Sequence, residues 1–175
     1  MHILLLAWLF QENTKNKTWK KFPKYFPNIL YIALFNWFYY FLVDNKLLWE
    51  LRGTILNRKT LKVIHICIIN PLLTLLYLSN LPNSFVKQFI YVVRWIFIST
   101  MVEWIFCKEG KICFYRGWTI GWSMLIYIKM YIFCLLFNKK PILTLFLSII
   151  DTIFLLLKFK IPVRKNLRKQ FRNWI

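Results

Sequence analysis

Residues 118–157 read WTIGWSMLIYIKMYIFCLLFNKKPILTLFLSIIDTIFLLL, two apolar runs on either side of a short polar turn. The runs, 118–137 and 142–157, carry one charged residue each, Lys129 and Asp151. A helix rises about 1.5 Å per residue, so roughly 20 apolar residues cross a hydrocarbon core of about 30 Å. Asn138-Lys139-Lys140-Pro141 leaves room only for a tight reversal, so the stretch reads as an antiparallel pair of membrane helices.

The same grammar extends toward the N-terminus. Apolar spans are expected at 28–43, 61–79 and 85–106, giving an all-α bundle of five transmembrane helices in a single membrane domain over residues 1–175. Asn70-Pro71 falls near the middle of the second of these spans, where a proline removes one helical hydrogen bond and predicts a kink. Residues 1–10, MHILLLAWLF, reach only about 15 Å as a helix. They lack a basic start and a small-residue cleavage site, so they read as a short anchor or half-buried helix and not as a removable signal. The connector 44–60 contains Leu47, Leu48, Trp49, Leu51, Ile55 and Leu56 and is expected to lie along the interface. A basic tail occupies 158–175.

Composition agrees with lipid as the solvent. The chain is 59% hydrophobic and 20% aromatic, with mean hydropathy +0.49, more apolar than a soluble domain of 175 residues can hide. Its charge of +19, from 25 Lys and Arg against 6 Asp and Glu, would suggest nucleic acid in a soluble chain. Here the cations sit between and beyond the apolar runs, apart from Arg94 and Lys129. The aromatics lie inside the runs and do not alternate with basic residues, so no nucleic-acid platform is expected. Basic connectors suit anionic headgroups and set insertion topology.

On a five-span model, fifteen cations fall on the face of the 44–62 connector, the 107–117 loop and the tail, and eight on the other face. The first face is therefore expected to be cytoplasmic, with the lysines at 15–24 opposing that orientation. Cys67, Cys107, Cys113 and Cys134 form no C-x-x-C pair. Neither a disulfide framework nor a zinc site is indicated, although Cys107 and Cys113 flank one loop.

Polar groups inside the spans are the informative exceptions, because each is costly in hydrocarbon unless paired or wet. Counted from the turns on one side, Arg94, Lys129 and Asp151 share a depth of roughly 15–18 Å. They form, with Glu103, a candidate intramembrane charge cluster in which Lys129 and Asp151 are the direct pair. Glu103 lies nearer the cytoplasmic side and is expected to snorkel toward Lys108 or Arg116. His65 reads as a helix-packing group, Asn36 and Asn70 as bridges between helices, and Gly117-x-x-x-Gly121 as a close-packing spacing. Trp49, Trp104, Trp118 and Trp122 read as interfacial anchors. Glu50 is expected to pair with Arg52 or Lys46. There is no glycine-rich phosphate loop, no H-E-x-x-H, no G-x-S-x-G and no pair of acids at metal-ligand spacing. No catalytic, cofactor or metal residue is assigned.

A succession of short pieces is similar to a family of small multi-spanning membrane proteins, without established activity, of endospore-forming Gram-positive bacteria. The pieces are Met1-His2-Ile3-Leu4-Leu5, Tyr25-Phe26-Pro27 with Leu30-Tyr31, Leu48-Trp49-Glu50, and Tyr77-Leu78-Ser79 with Leu81-Pro82. Val102-Glu103-Trp104-Ile105, Gly117-Trp118 with Trp122-Ser123, and Lys139-Lys140-Pro141 follow. The stunted first segment and long basic tail depart from the family. The resemblance implies a bacterial plasma membrane and carries no site residues. The expected role is a structural or accessory membrane component whose partners are lipid, other membrane proteins or itself, the alternative being a small transporter or channel component using the charge cluster.

Overall fold

The computed structural model describes residues 2–43, 48–53 and 56–161. Its helices are α1 (His2–Lys15), α2 (Phe22–Val43), α3 (Arg58–Ile64), α4 (Asn70–Ser79), α5 (Phe85–Lys108), α6 (Ile120–Phe137) and α7 (Pro141–Lys158). A π turn, His65–Ile69, joins α3 to α4, so that Arg58–Ser79 runs as one helix of 22 residues. With Thr18–Val43, α5, α6 and α7, this makes five helices long and apolar enough to cross a membrane.

Spans three to five lie within two residues of the sequence reading. The first differs: α2 begins at Phe22, not near 28. Pro27 is its sixth residue, and the bond that its missing N–H forgoes would reach only residue 23, in the first turn. The extra residues bring the helix to about 33 Å, enough for the bilayer. The expected kink at Pro71 takes a specific form. Asn70 N–H reaches back to the His65 carbonyl, one residue further than an α-helix allows, so the ladder widens just before the proline.

Two three-residue strands, absent from the sequence reading, tie the connectors together. β1 (Trp49–Leu51) pairs antiparallel with β2 (Ile112–Phe114), Glu50 opposite Cys113. Leu48 and Leu51 are buried, so this part of the connector is folded into the bundle end and does not lie free along an interface. The chain is aimed into β2 by a glycine turn. Gly110, at φ 65, lets its own N–H bond to Cys107 O and that of Lys111 to Phe106 O, closing the end of α5. Pairing of the two connectors puts both on one face, here the strand face, as alternating spans require.

The helices form two groups. α4 packs against α1 and α2, and α6 against α5 and α7; α6 also touches α2 and α4, while α2 and α7 scarcely meet. Hydrocarbon tails are as apolar as leucine, so burial alone does not drive such packing in lipid. Tyrosines and amides join the groups instead. Tyr31, Tyr77 and Tyr131 form the central core with Ile32, Leu78, Ile96 and Cys134. Asn28 Nδ2 donates to Cys134 O at 2.8 Å, and Tyr31 Oη lies 2.7 Å from Ser148 Oγ. Tyr131 Oη lies 2.6 Å from Ser99 Oγ.

The N-terminal segment is a helix laid along α4. Leu9 is fully buried against Ile69, Leu72 and Leu76, and Asn13 Nδ2 donates to Leu72 O at 3.1 Å. At about 21 Å, α1 is shorter than the hydrocarbon core. The basic tail from 162 onward, together with Asp44, Lys46, Leu47 and Ile55, lies outside the described residues.

Candidate functional site

Lys129 and Asp151 sit near the middles of α6 and α7, each a few turns from the Asn138–Pro141 reversal. They form the expected ion pair. The pair is not sealed: the side chains keep 32% and 20% of their surface exposed. Asp151 sits one turn beyond Ser148, whose hydroxyl donates to Thr144 O, and Thr152 Oγ1 donates to Ser148 O. These in-helix bonds satisfy both hydroxyl donors.

Both partners line a cavity of about 280 Å3 in the gap between α2, α6 and α7. Tyr31, Asn36, Tyr39 and Tyr40 supply its α2 wall; Tyr127, Met130 and Phe133 belong to α6. Leu48, Trp49, Ile112 and Trp118 close the strand-face end. Its volume lies near the lower end of pockets that take small organic ligands, about 300–1,000 Å3. Among the described residues Tyr40 Oη is buried without a hydrogen-bond partner.

Glu103 lines the same cavity, but the sequence reading of its surroundings is corrected. It is 8% exposed and does not snorkel toward Lys108 or Arg116. Ser123 Oγ donates to Oε1 and Tyr127 Oη to Oε2, both at 2.5 Å, and Trp118 Nε1 donates to Ser123 Oγ at 2.9 Å. Glu103 faces inward because Ser99, Glu103 and Phe106 share the stripe of α5 buried against its neighbours. Lys108 lies over the Trp104 ring, and Arg116 reaches the Phe159 and Lys160 carbonyls.

Arg94 is not part of the cluster. It is exposed on the outer face of α5 among Ile90, Val93, Phe97 and Ile98, and makes no ion pair among the described residues. Its depth matches that of Lys129 and Asp151, but depth does not fix direction around a helix.

Other assignments shift as well. Glu50 pairs with Arg58 at 2.8 Å, with Arg52 more distant at 4.0 Å, and Tyr115 Oη donates to it at 3.2 Å. Of the four tryptophans read as anchors only Trp104 is exposed; Trp118 is buried, and Trp49 stacks on Tyr39 with ring centroids 5.5 Å apart. Gly117 and Gly121 have no helix against them, and Gly117, at φ 77, serves a turn. Asn36 Nδ2 donates to Ile32 O in its own helix and not across helices. Asn28 and Asn13 make the bridges instead, missed by the sequence reading because Asn13 lies in the polar stretch 11–27 and Asn28 is the first residue of the expected span. All four cysteines are free thiols.

His65 packs against a second histidine. His2 Nε2 lies 3.0 Å from Arg52 O, and His65 Nε2 lies 3.2 Å from His2 Nδ1. A carbonyl only accepts, so His2 donates from Nε2 and takes the His65 proton on Nδ1, both rings being neutral. Burial, the largest influence, holds His2 below the ordinary histidine value. Among the described residues no three His, Cys, Asp or Glu side chains come together as a metal site.

Five membrane-length helices around a charged cavity place the chain in the class of all-α, multi-pass membrane proteins. Compared with protein families, with curated proteins and with solved structures, it matches none.

Proposed function

We propose that the protein is a small transporter or channel component of a bacterial plasma membrane, non-enzymatic, with the α2–α6–α7 cavity as its solute site. The supporting observation is that one cavity is lined at once by the Lys129–Asp151 pair and by Glu103, a carboxylate with no cation partner among the described residues. A clasp between helices needs only paired charges. It does not need free volume beside them, nor a second acid held by hydroxyls. The apolar and aromatic wall suits a solute with a hydrophobic body and a charged group. In this reading the strand face is cytoplasmic, following the excess of cations there. The succession of family-like pieces supports the bacterial membrane.

The direct contact between Lys129 and Asp151 favours a second reading, a structural or accessory component in which the pair only fastens α6 to α7. Reconstituted vesicles separate the two. With proton, sodium and potassium gradients, the wild type should give flux above empty vesicles, and folded Asp151→Asn should not. The amide keeps hydrogen bonding but cannot ionise. Wild-type flux equal to that of empty vesicles for all three ions would leave the accessory reading standing.

A further inference from the structure

The outer face of α5 carries a charge that no acid among the described residues answers. Arg94 lies nine residues beyond Phe85, about 14 Å or two and a half turns along a helix of 24 residues. Snorkelling serves cations near helix ends, and Arg94 is near neither. Around it Ile90, Val93, Phe97 and Met101 are 60%, 48%, 64% and 40% exposed, a surface suited to lipid or to another helix. An arginine at this depth is stable when paired, and rare otherwise.

The chain's own acids, among the described residues, do not supply the pair. It has six Asp and Glu. Glu50 is taken by Arg58, Asp151 by Lys129, and Glu103 by Ser123 and Tyr127. Glu109 follows the end of α5 and belongs to the strand face, and Asp44 lies outside the described residues. Glu12 accepts the Asn16 amide within its own segment. Among the described residues, a second copy therefore offers Arg94 no carboxylate that is both unengaged and away from the strand face.

We infer that this face of α5 docks a transmembrane helix of a different membrane protein, one with an Asp or Glu near its midpoint to pair with Arg94. The apolar residues on either side supply the packing, and the ion pair sets register and depth. A bidentate guanidinium–carboxylate contact suits this, because it fixes orientation as well as charge. The surface is separate from the α2–α6–α7 cavity, and the inference stands whichever functional reading holds.

The full chain, labelled with a fluorescence acceptor and reconstituted in vesicles, tests this against donor-labelled synthetic leucine helices with a central Asp or a central Leu. The Asp helix should bind about tenfold more tightly. The preference should vanish in Arg94→Leu, survive in Arg94→Lys, and survive in Lys87→Gln, which removes a cation near the end of the same helix. Circular dichroism checks that each variant is folded. Equal binding of the two helices, with the guanidinium satisfied by lipid phosphate, would overturn the inference. So would a preference that persists in Arg94→Leu. Self-association of the chain without any added helix, lost in both Arg94→Leu and Glu12→Gln, would overturn it in favour of a second copy.

Discussion

Tyr127 donates its hydroxyl to the Glu103 carboxylate at 2.5 Å, across the α5–α6 interface, and no cation lies within ion-pair distance of that carboxylate among the described residues. The acid is held by hydroxyls where the sequence suggests a lysine or arginine.

Truncation and amide substitution should therefore differ at this position. Glu103→Ala leaves the Ser123 and Tyr127 hydroxyls without their acceptor and should cost about 1–3 kcal/mol. Glu103→Gln keeps an acceptor and should cost less than half as much. Thermal unfolding in detergent micelles measures both. Equal losses would mean that the negative charge, not the hydrogen bonds, holds α5 to α6.

Lys129 and Asp151 should show strong coupling. Breaking a fully buried pair costs about 3–5 kcal/mol, and partial exposure lowers the expectation to about 1–3 kcal/mol for Lys129→Met or Asp151→Leu alone. The double variant should recover much of the loss, which a double-mutant cycle on folded fraction reads directly. Additive losses would show that the contact contributes nothing.

How much of this is legible in the sequence depends on what kind of signal each feature leaves. The Lys129–Asp151 pair can be read because both residues lie about ten positions from one four-residue turn, and a hairpin that tight fixes relative depth. Arg94 and Glu103 cannot be aimed in the same way. Most residues on α5 are apolar, so no polar stripe tells the lipid side from the bundle side, and Arg94 points out where Glu103 points in. The strands leave no periodic signal, since Trp49–Leu51 and Ile112–Phe114 are three residues each. Trp118 looks like an interfacial anchor until the loop around Gly117 folds it inward.

The His2–His65 contact gives α1 a pH dependence. His2 has a folded pKa below 6.5, so the undocked segment takes a proton more readily than the docked one. Stability from this contact is complete above about pH 6.5 and is lost as pH falls through the lower folded value. Hydrogen exchange across α1 should show less protection at pH 5 than at pH 7.5, and His2→Leu should flatten the difference. Equal protection of the wild type at both values would remove the histidine from the account.

Orientation is open to a direct measurement. A reporter active only outside the cytoplasm, fused at Ile175, should be silent, and one placed in the turn after Phe137 should be active. The reverse pattern would turn the whole bundle over.

The pairing of β1 with β2 makes the bundle resemble a book bound along one edge. The strands stitch the link between α2 and α3 to the link between α5 and α6, so the ends of those four helices on that side are tied into one spine. α7 is not sewn into it. It leaves the far side of α6 through a short turn and returns with its end resting on Trp118 and Trp122 through Phe159. Of the leaves that border the cavity, α7 is one the strands do not bind; Tyr31, Lys129 and Arg116 hold it by its side chains and its end instead. Asp151 is carried on that unsewn leaf and Lys129 on a sewn one, so the ion pair is the fastening between the spine and its loose page.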